Sequence, residues 1–487
     1  MIDVELLADT GPAHVPGAVA HALDEKAFEG VLSAQTLLAS LLADSAFKVL
    51  RYADDGPPYR DIVSSKSGPH APGWVMSPPD HAVEGETGEV VYSFSTGHVV
   101  LAARSQHALV FVEQDERADP RSGPDDRTEL ERQRAVRRAD YLAGQSAEAV
   151  DADVFITRRT YLLNHAHRFA RGVDCMTPEQ ALTVVGLFLR CRGQFLLAAT
   201  WDGGRYEVDR GLFYWIGTRA LLPASWRYFA GCIRADRPEI GASTLYLAQS
   251  TLRRLDRALR QRDLIHWSLN KPQRNDTAED ASAALDNVLQ LLVGALDAAA
   301  RVAHIVAGMP TETLHRVGWQ KQQWRDGLRE AFPDLVGFFA PGTPGEQLFL
   351  LLRLLRNSVH GEALQASVVH DAARGSSVGI GLPAMSIASL LSVMDNLGGE
   401  EVWGVTIDGA GQAYVDPGIM VDQLVPLTAA LLDNVMAHTP VEQVIGESVT
   451  AHSKESSEHD DVLSEANETR VVLQLGLDPR TNDLRGP

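Results

Sequence analysis

The chain has 487 residues, more than one ordinary hydrophobic core accommodates, so two or three domains are expected. Its formal net charge of -20 excludes a chain-wide footprint for duplex DNA or an anionic bilayer, and any polyanion must meet a local basic patch. Three cysteines, Cys175, Cys191 and Cys232, include no CxxC pair, which leaves no disulfide framework and no structural zinc site.

The opening MIDVELLADTGPAHV has no basic head before an apolar run, so no signal peptide is expected. The best hydrophobic stretch, ALTVVGLFLRCRGQFLLAAT, carries Arg190 and Arg192 at its centre and spans a bilayer badly. The expected compartment is a reducing cytoplasm. Residues 26–52 have the periodicity of an amphipathic helix, followed by a Pro/Gly-rich loop to Pro79. EVVYSF, HVVLAA and ALVFVE are β-rich runs, and a charged loop then leads into a helix from Arg134 to Ala149. ADVFIT and GVDCMT have the pattern of strands, and Pro178 opens the helix PEQALTVVGLFLR at its favoured first-turn position. Strands alternating with helices predict an α/β layer with parallel neighbours.

From Leu212 the pattern turns helical, with helices expected over 212–234, 242–267, 278–308, 311–331, 345–366 and 383–397. EVWGVTID and GQAYVD form a hairpin across Gly409, and a last helix runs from Gly418 to Ala437. The acidic segment beyond Pro440 is expected to be disordered, with TRVVLQLGL as a docking strand or an isolated apolar fragment.

The stretch LLRLLRNSVHGEAL interrupts its leucines with Arg353, Arg356, Asn357 and His360. On a helix Phe349, Arg353, Arg356 and His360 fall on one stripe, beside a core stripe of Leu348, Leu352, Leu355 and Val359. Arginine offers a fork of donors matched to a phosphate, and histidine exchanges a proton near neutrality with a 2′-hydroxyl or a leaving oxygen. The competing reading is that Arg356 and His360 satisfy helix ends, a carboxylate or water at an interface. An earlier helix repeats the layout in Arg262, Asp263 and His266, within a stretch rich in Lys and Arg. It is either a solvated basic face or a second wall of the same groove. Trp319 and Trp324 are expected to be packing anchors, and His165 and His167 in NHAHR have a strand-like ligand spacing with no third ligand.

RNSVHGEAL after a leucine-rich helix resembles the HEPN superfamily of helical-bundle proteins, over about residues 245–370. Many members carry an Arg, a polar residue (often Asn) directly after it, and a His further along the helix. The matching residues are Arg356, Asn357 and His360, with three residues between Arg356 and His360, one fewer than the usual minimum, and six between Arg353 and His360. The resemblance implies a helical bundle, dimerisation that joins two motifs and, in active members, metal-independent RNA cleavage. Arg356, His360 and Asn357 would then be catalytic, with Arg353, Arg262 and His266 binding substrate.

RADYLAGQSAEAVDADVFITRRTYLL is similar to the closing part of a PIN-like nuclease domain, where a helix bearing an acid precedes a strand ending in Thr. That resemblance places Asp140 at the helical acid and the strand Asp153–Thr157 after it. It implies Asp140 and Asp153 as metal ligands for Mg²⁺ or Mn²⁺, with Asp9 and Glu113 as candidates for the earlier acids.

The expected fold is therefore α+β and multidomain. A PIN-like α/β domain spans 1–205, a HEPN-like helical bundle spans 206–440 with a small hairpin at 401–416, and an acidic tail spans 441–487. The expected function is an RNA-binding or metal-independent ribonuclease protein, a homodimer acting in defence or stress response, without membrane or duplex DNA as partner. The expected cofactor is none, or Mg²⁺ if the N-terminal domain is an active nuclease. The alternatives are a non-catalytic dimerisation protein and a metal-dependent PIN-like nuclease.

Overall fold

In a computed structural model of the chain the residues described are 4–9, 34–44, 46–53, 73–76, 83–84, 90–95, 100–105, 127–149, 152–170, 172–199, 205–235, 243–271, 274–361, 364–371, 375–442 and 462–477. They are mainly helical with small sheets, an α+β chain. It divides into two compact units, Met1–Val185 with Ala198–Arg205, and Gly186–Leu197 with Tyr206–Pro487.

The first unit begins with β1 (Val4–Asp9), α1 (Ala34–Leu42), β2 (Phe47–Ala53) and β3 (Gly73–Met76). The small strands β4 (Val83–Glu84), β5 (Val90–Ser95) and β6 (Val100–Ser105) pair antiparallel. Then come α2 (Arg127–Ala149), β7 (Val154–Ile156), α3 (Thr160–Phe169), β8 (Asp174–Met176) and α4 (Pro178–Cys191), whose end belongs to the second unit. A five-stranded sheet has the order β3-β2-β1-β7-β8, every neighbour parallel. The run Val154, Phe155, Ile156 is buried throughout, as a strand covered on both faces must be. Thr177 and Gln180 close a reciprocal cap at the start of α4. Gln180 N–H donates to Thr177 Oγ1 at 3.3 Å, and Thr177 N–H donates to Gln180 Oε1 at 2.9 Å.

The expected helix over 26–52 is corrected: α1 stops at Leu42, Asp44 Oδ1 accepts from Ala46 N–H at 2.7 Å, and Phe47–Ala53 is a strand. Pairing of β2 with both β1 and β3 overrides the helical period there. ALVFVE and Glu113 lie outside the described residues. His165 and His167 lie on α3 rather than on a strand, and His165 Nδ1 meets the Tyr161 carbonyl at 2.8 Å.

β9 (Leu196–Ala199) and β10 (Arg205–Glu207) are each divided between the units, and the second unit continues with α5 (Arg210–Leu221), α6 (Ser225–Arg234), α7 (Thr244–Leu269) and α8 (Asn275–Val306). A 3-10 turn over Thr311–Arg316 leads to α9 (Gln322–Ala331), α10 (Pro333–Gly337) and α11 (Pro344–Gly361). The hairpin β11 (Gln365–Asp371) and β12 (Gly375–Gly381) follows, then α12 (Ile387–Asn396), β13 (Val405–Ile407), β14 (Ala413–Val415), α13 (Pro417–His438) and α14 (Glu465–Gln474). The four strands form an antiparallel sheet in the order β11-β12-β14-β13. The hairpin expected at 401–416 is present as β13 and β14, with Asp408 Oδ1 accepting from Ala410 and Gln412 N–H across its turn. One expected helix over 212–234 is two, interrupted at Pro223, and that over 345–366 ends at Gly361, where QASVVHD turns to β pairing.

The core is built on α7 and α8, with α11 and α13 packed on α8. α8 and α13 are long and apolar enough to cross a membrane by length and composition, and most of each apolar stretch is buried in this unit. Trp319 is buried with its Nε1 donating to the Leu296 carbonyl at 3.0 Å, and Trp324 Nε1 donates to His304 Nδ1 at 3.1 Å. Residues 462–477 depart from the expected tail. TRVVLQLGL is neither a strand nor a loose fragment: it is helical to Gln474, and Val471, Val472, Leu475 and Leu477 join the core.

Gly345 sits at the start of α11, where a methyl group would overlap the Phe338 carbonyl oxygen and press on Leu431. A backbone atom cannot swing aside, so Gly345→Ala is expected to cost about 1–3 kcal/mol. Chemical denaturation would register this as a lower midpoint, and an unchanged midpoint would mean that the start of α11 shifts freely.

Candidate functional site

Helix α11 turns Leu348, Leu351, Leu352 and Leu355 into the core. That packing fixes its remaining face, where Arg353 and Arg356 are half-buried and Asn357 is exposed. Neither Arg353 nor Arg356 makes a side-chain hydrogen bond or an ion pair among the described residues. The backbone of His360 closes the same helix, but its side chain lies outside the described residues, so the pairing of Arg356 with His360 is fixed only as one helical turn.

Asp297 on α8 lies within electrostatic reach of this face. Burial pushes its carboxyl up, and four guanidinium groups oppose that rise: Arg301, Arg356, Arg254 and Arg353. They come from three helices, α8, α11 and α7. Arg254 lies across Gly294, where a methyl group would overlap its guanidinium, and its Nε donates to Ser250 Oγ at 3.1 Å. Four guanidinium groups thus act on one carboxylate, in a chain of net charge -20. Guanidinium groups held on rigid helices can take an anion through charge-assisted hydrogen bonds.

The second Arg–His pair has a different environment. Arg262 is 2% exposed; its Nε donates to Asp422 Oδ1 at 2.6 Å and its Nη1 to the Leu475 carbonyl at 2.7 Å. His266 Nε2 donates to the same Asp422 oxygen at 2.8 Å. Burial raises the Asp422 carboxyl, but the His266 hydrogen bond and the Arg262 charge outweigh it and hold the carboxyl below its ordinary value. Next to them Asp263, 3% exposed, accepts from Arg190 Nε at 2.6 Å, Arg190 Nη2 at 2.9 Å and Tyr214 Oη at 2.6 Å. Arg190 Nη1 donates to the Gln474 carbonyl at 3.1 Å. Arg190 and Arg262 thus satisfy carbonyls at the C-terminal end of α14, where the helix leaves them without intrahelical partners and partly negative. This clamp holds α14 to the unit, and Arg262 is engaged on protein atoms rather than presented to a ligand.

In the first unit Asp140 is buried and accepts from Arg159 Nη1 at 3.2 Å, while Asp153 is exposed. Asp153 and burial together raise the neighbouring Asp174 carboxyl, burial being the larger cause. Asp9 ends β1 next to the end of β7, with Ala8 in register with Ile156. No group of three or more potential metal ligands occurs among the described residues. Burial lifts the Cys175 thiol to about 12 and the Cys191 thiol to about 11, so neither is a ready nucleophile at neutral pH.

Sequence reasoning missed Asp297, Arg254, Arg301 and Asp422. One signal was legible: Asp297 is the only charge between Leu291 and Ala300, an apolar run on a largely buried helix. Protein-family models, curated proteins and solved structures were all compared with this chain, and none matches significantly.

Proposed function

We propose that the helical unit is a HEPN-like RNA-binding protein that cleaves phosphodiesters without a metal ion. The observation that carries the proposal is that Arg353 and Arg356 are half-buried on one helix face and make no hydrogen bond or ion pair among the described residues, sharing only the field of Asp297 with two other arginines. Two guanidinium groups held on one helix face offer a fork of donors to an anion. The RNA backbone is a fitting anion, because the reaction needs only a phosphate clamp and a proton carrier.

In the proposed step the 2′-hydroxyl oxygen attacks phosphorus and the bond to the 5′-oxygen breaks. His360 takes the proton from the 2′-hydroxyl, and a second, protonated His360 from a dimer partner delivers one to the departing 5′-oxygen. The products are a 2′,3′-cyclic phosphate and a 5′-hydroxyl. Arg353 and Arg356 hold the phosphoryl oxygens and Asn357 positions them. The engaged Arg262 and His266 have no part in this step.

Incubation of the purified protein with single-stranded RNA in EDTA tests the reading. Cleavage is expected to persist, to leave cyclic-phosphate ends, to spare DNA of the same sequence, and to fall about 10²–10⁴-fold in His360→Ala. Cleavage abolished by EDTA, or undiminished in His360→Ala, would refute it, as would no cleavage of any RNA tried.

A further inference from the structure

Arg253 and Arg254 are adjacent on α7 and therefore point to different sides of it. Arg254 serves the surroundings of Asp297, whereas Arg253 lines a cleft of about 340 Å³ between α5, α6 and α7. That volume is at the small end of the ligand-site range of about 300–1,000 Å³. It suits one compact molecule rather than a polymer or a dinucleotide.

The lining has two chemistries. Trp215 from α5 and Phe229 from α6, both half-buried, line it beside buried Leu252 and supply apolar aromatic surface. From α7, Gln249, Arg253, Asp256 and Arg260 reach the cleft at offsets of four, seven and eleven residues, one helical stripe. Arg260 Nη2 is paired with Asp256, at 3.0 and 2.8 Å from its two oxygens, and the guanidinium lies over the Tyr214 ring at 5.3 Å. Arg260 Nε is buried without an acceptor. Arg253 is exposed and has no hydrogen-bond or ion-pair partner among the described residues. Asp256 also feels Arg257 and Arg210, so arginines again outnumber the carboxylate.

A lining of two aromatic rings together with the unpaired Arg253 guanidinium matches a ligand with a planar ring at one end and an anion at the other. We propose that this cleft is a binding site for a nucleoside monophosphate, with its base on Trp215 and Phe229 and its phosphate on Arg253. The Asp256–Arg260 pair forms the polar floor. The site is separate from the Arg353 face, so the two proposals stand or fall independently.

Calorimetric titration of the full chain in EDTA with AMP, GMP, CMP and UMP tests this, with adenosine and inorganic phosphate as half-ligands. Saturable binding of at least one nucleotide is expected, and at least tenfold weaker binding of either half-ligand. Arg253→Glu changes an exposed residue and should weaken nucleotide binding at least tenfold with an unaltered circular dichroism spectrum. Trp215→Leu should do the same, and Arg353→Gln/Arg356→Gln should leave nucleotide binding as it is. The proposal is overturned if none of the four nucleotides binds saturably, or if Arg253→Glu binds as tightly as the wild type.

Discussion

Replacing Asp263 with Ala is expected to destabilise the second unit by about 3–5 kcal/mol. The substitution leaves the buried Arg190 guanidinium without its bidentate carboxylate and the Tyr214 hydroxyl without its acceptor. Removing one partner of a buried pair is costly chiefly because the other charge stays dehydrated. Against an ordinary total of about 5–15 kcal/mol this is a large fraction. Asp326→Asn provides the contrast. It breaks an ion pair with Arg329 in which the side chains are 50% and 48% exposed, and water screens such pairs to about 0–1 kcal/mol. Denaturant midpoints of the two variants should differ plainly, and equal midpoints would mean that the Arg190–Asp263 pair contributes no more than a surface contact.

The same carboxylates set the response to acid. Burial would raise Asp263, but Arg190 and the Tyr214 hydrogen bond prevail and hold it below its ordinary value, as Asp422 is held. A depressed carboxyl stabilises the fold above its unfolded value of about 3.9, and that contribution disappears as pH falls from there toward the folded value. Asp297, Asp256 and Asp433 are displaced upward by burial, so protonation relieves them, and between their raised values and about 3.9 stability grows as pH falls. The expected curve rises modestly on acidification and then drops below about pH 4. Asp263→Asn should flatten the drop.

The second large effect concerns ligand affinity rather than stability. Arg353→Gln/Arg356→Gln removes two cations that have no hydrogen-bonded protein partner among the described residues, so folding stability should change by no more than about 0.5 kcal/mol. RNA affinity should fall by about 1.5–3 kcal/mol for each arginine, roughly tenfold to more than hundredfold. If the arginines were instead structural, the variant would lose stability and keep its affinity, which is the opposite pair of results.

The two Arg–His motifs mark how far the sequence could be read. Arg262 and His266, and Arg356 and His360, share one helical spacing, and periodicity placed each pair on a helix beside an apolar stripe. Spacing could not reveal what faces them. Arg262 and His266 meet Asp422 from α13, 160 and 156 residues away in the chain, whereas Arg356 shares Asp297 with three other arginines. Long-range partners of this kind leave no local trace. Residues 47–52 carry a helical period in sequence yet pair as a strand for a related reason, since their partners lie in β1 and β3. The helix 465–474 was hidden by its acidic flanks, although Ser464 caps it, accepting from Asn467 N–H at 3.4 Å.

On the proposed function, the Arg353–Arg356 face takes its counter-charge from RNA phosphates. RNA affinity measured at several salt concentrations, for wild type and Arg353→Gln/Arg356→Gln, reads that directly. Each phosphate contact on a single strand contributes about 0.7 to the slope of log affinity against log salt, so the double variant should be shallower by about 1.4. Parallel lines of equal affinity for the two proteins would contradict the claim.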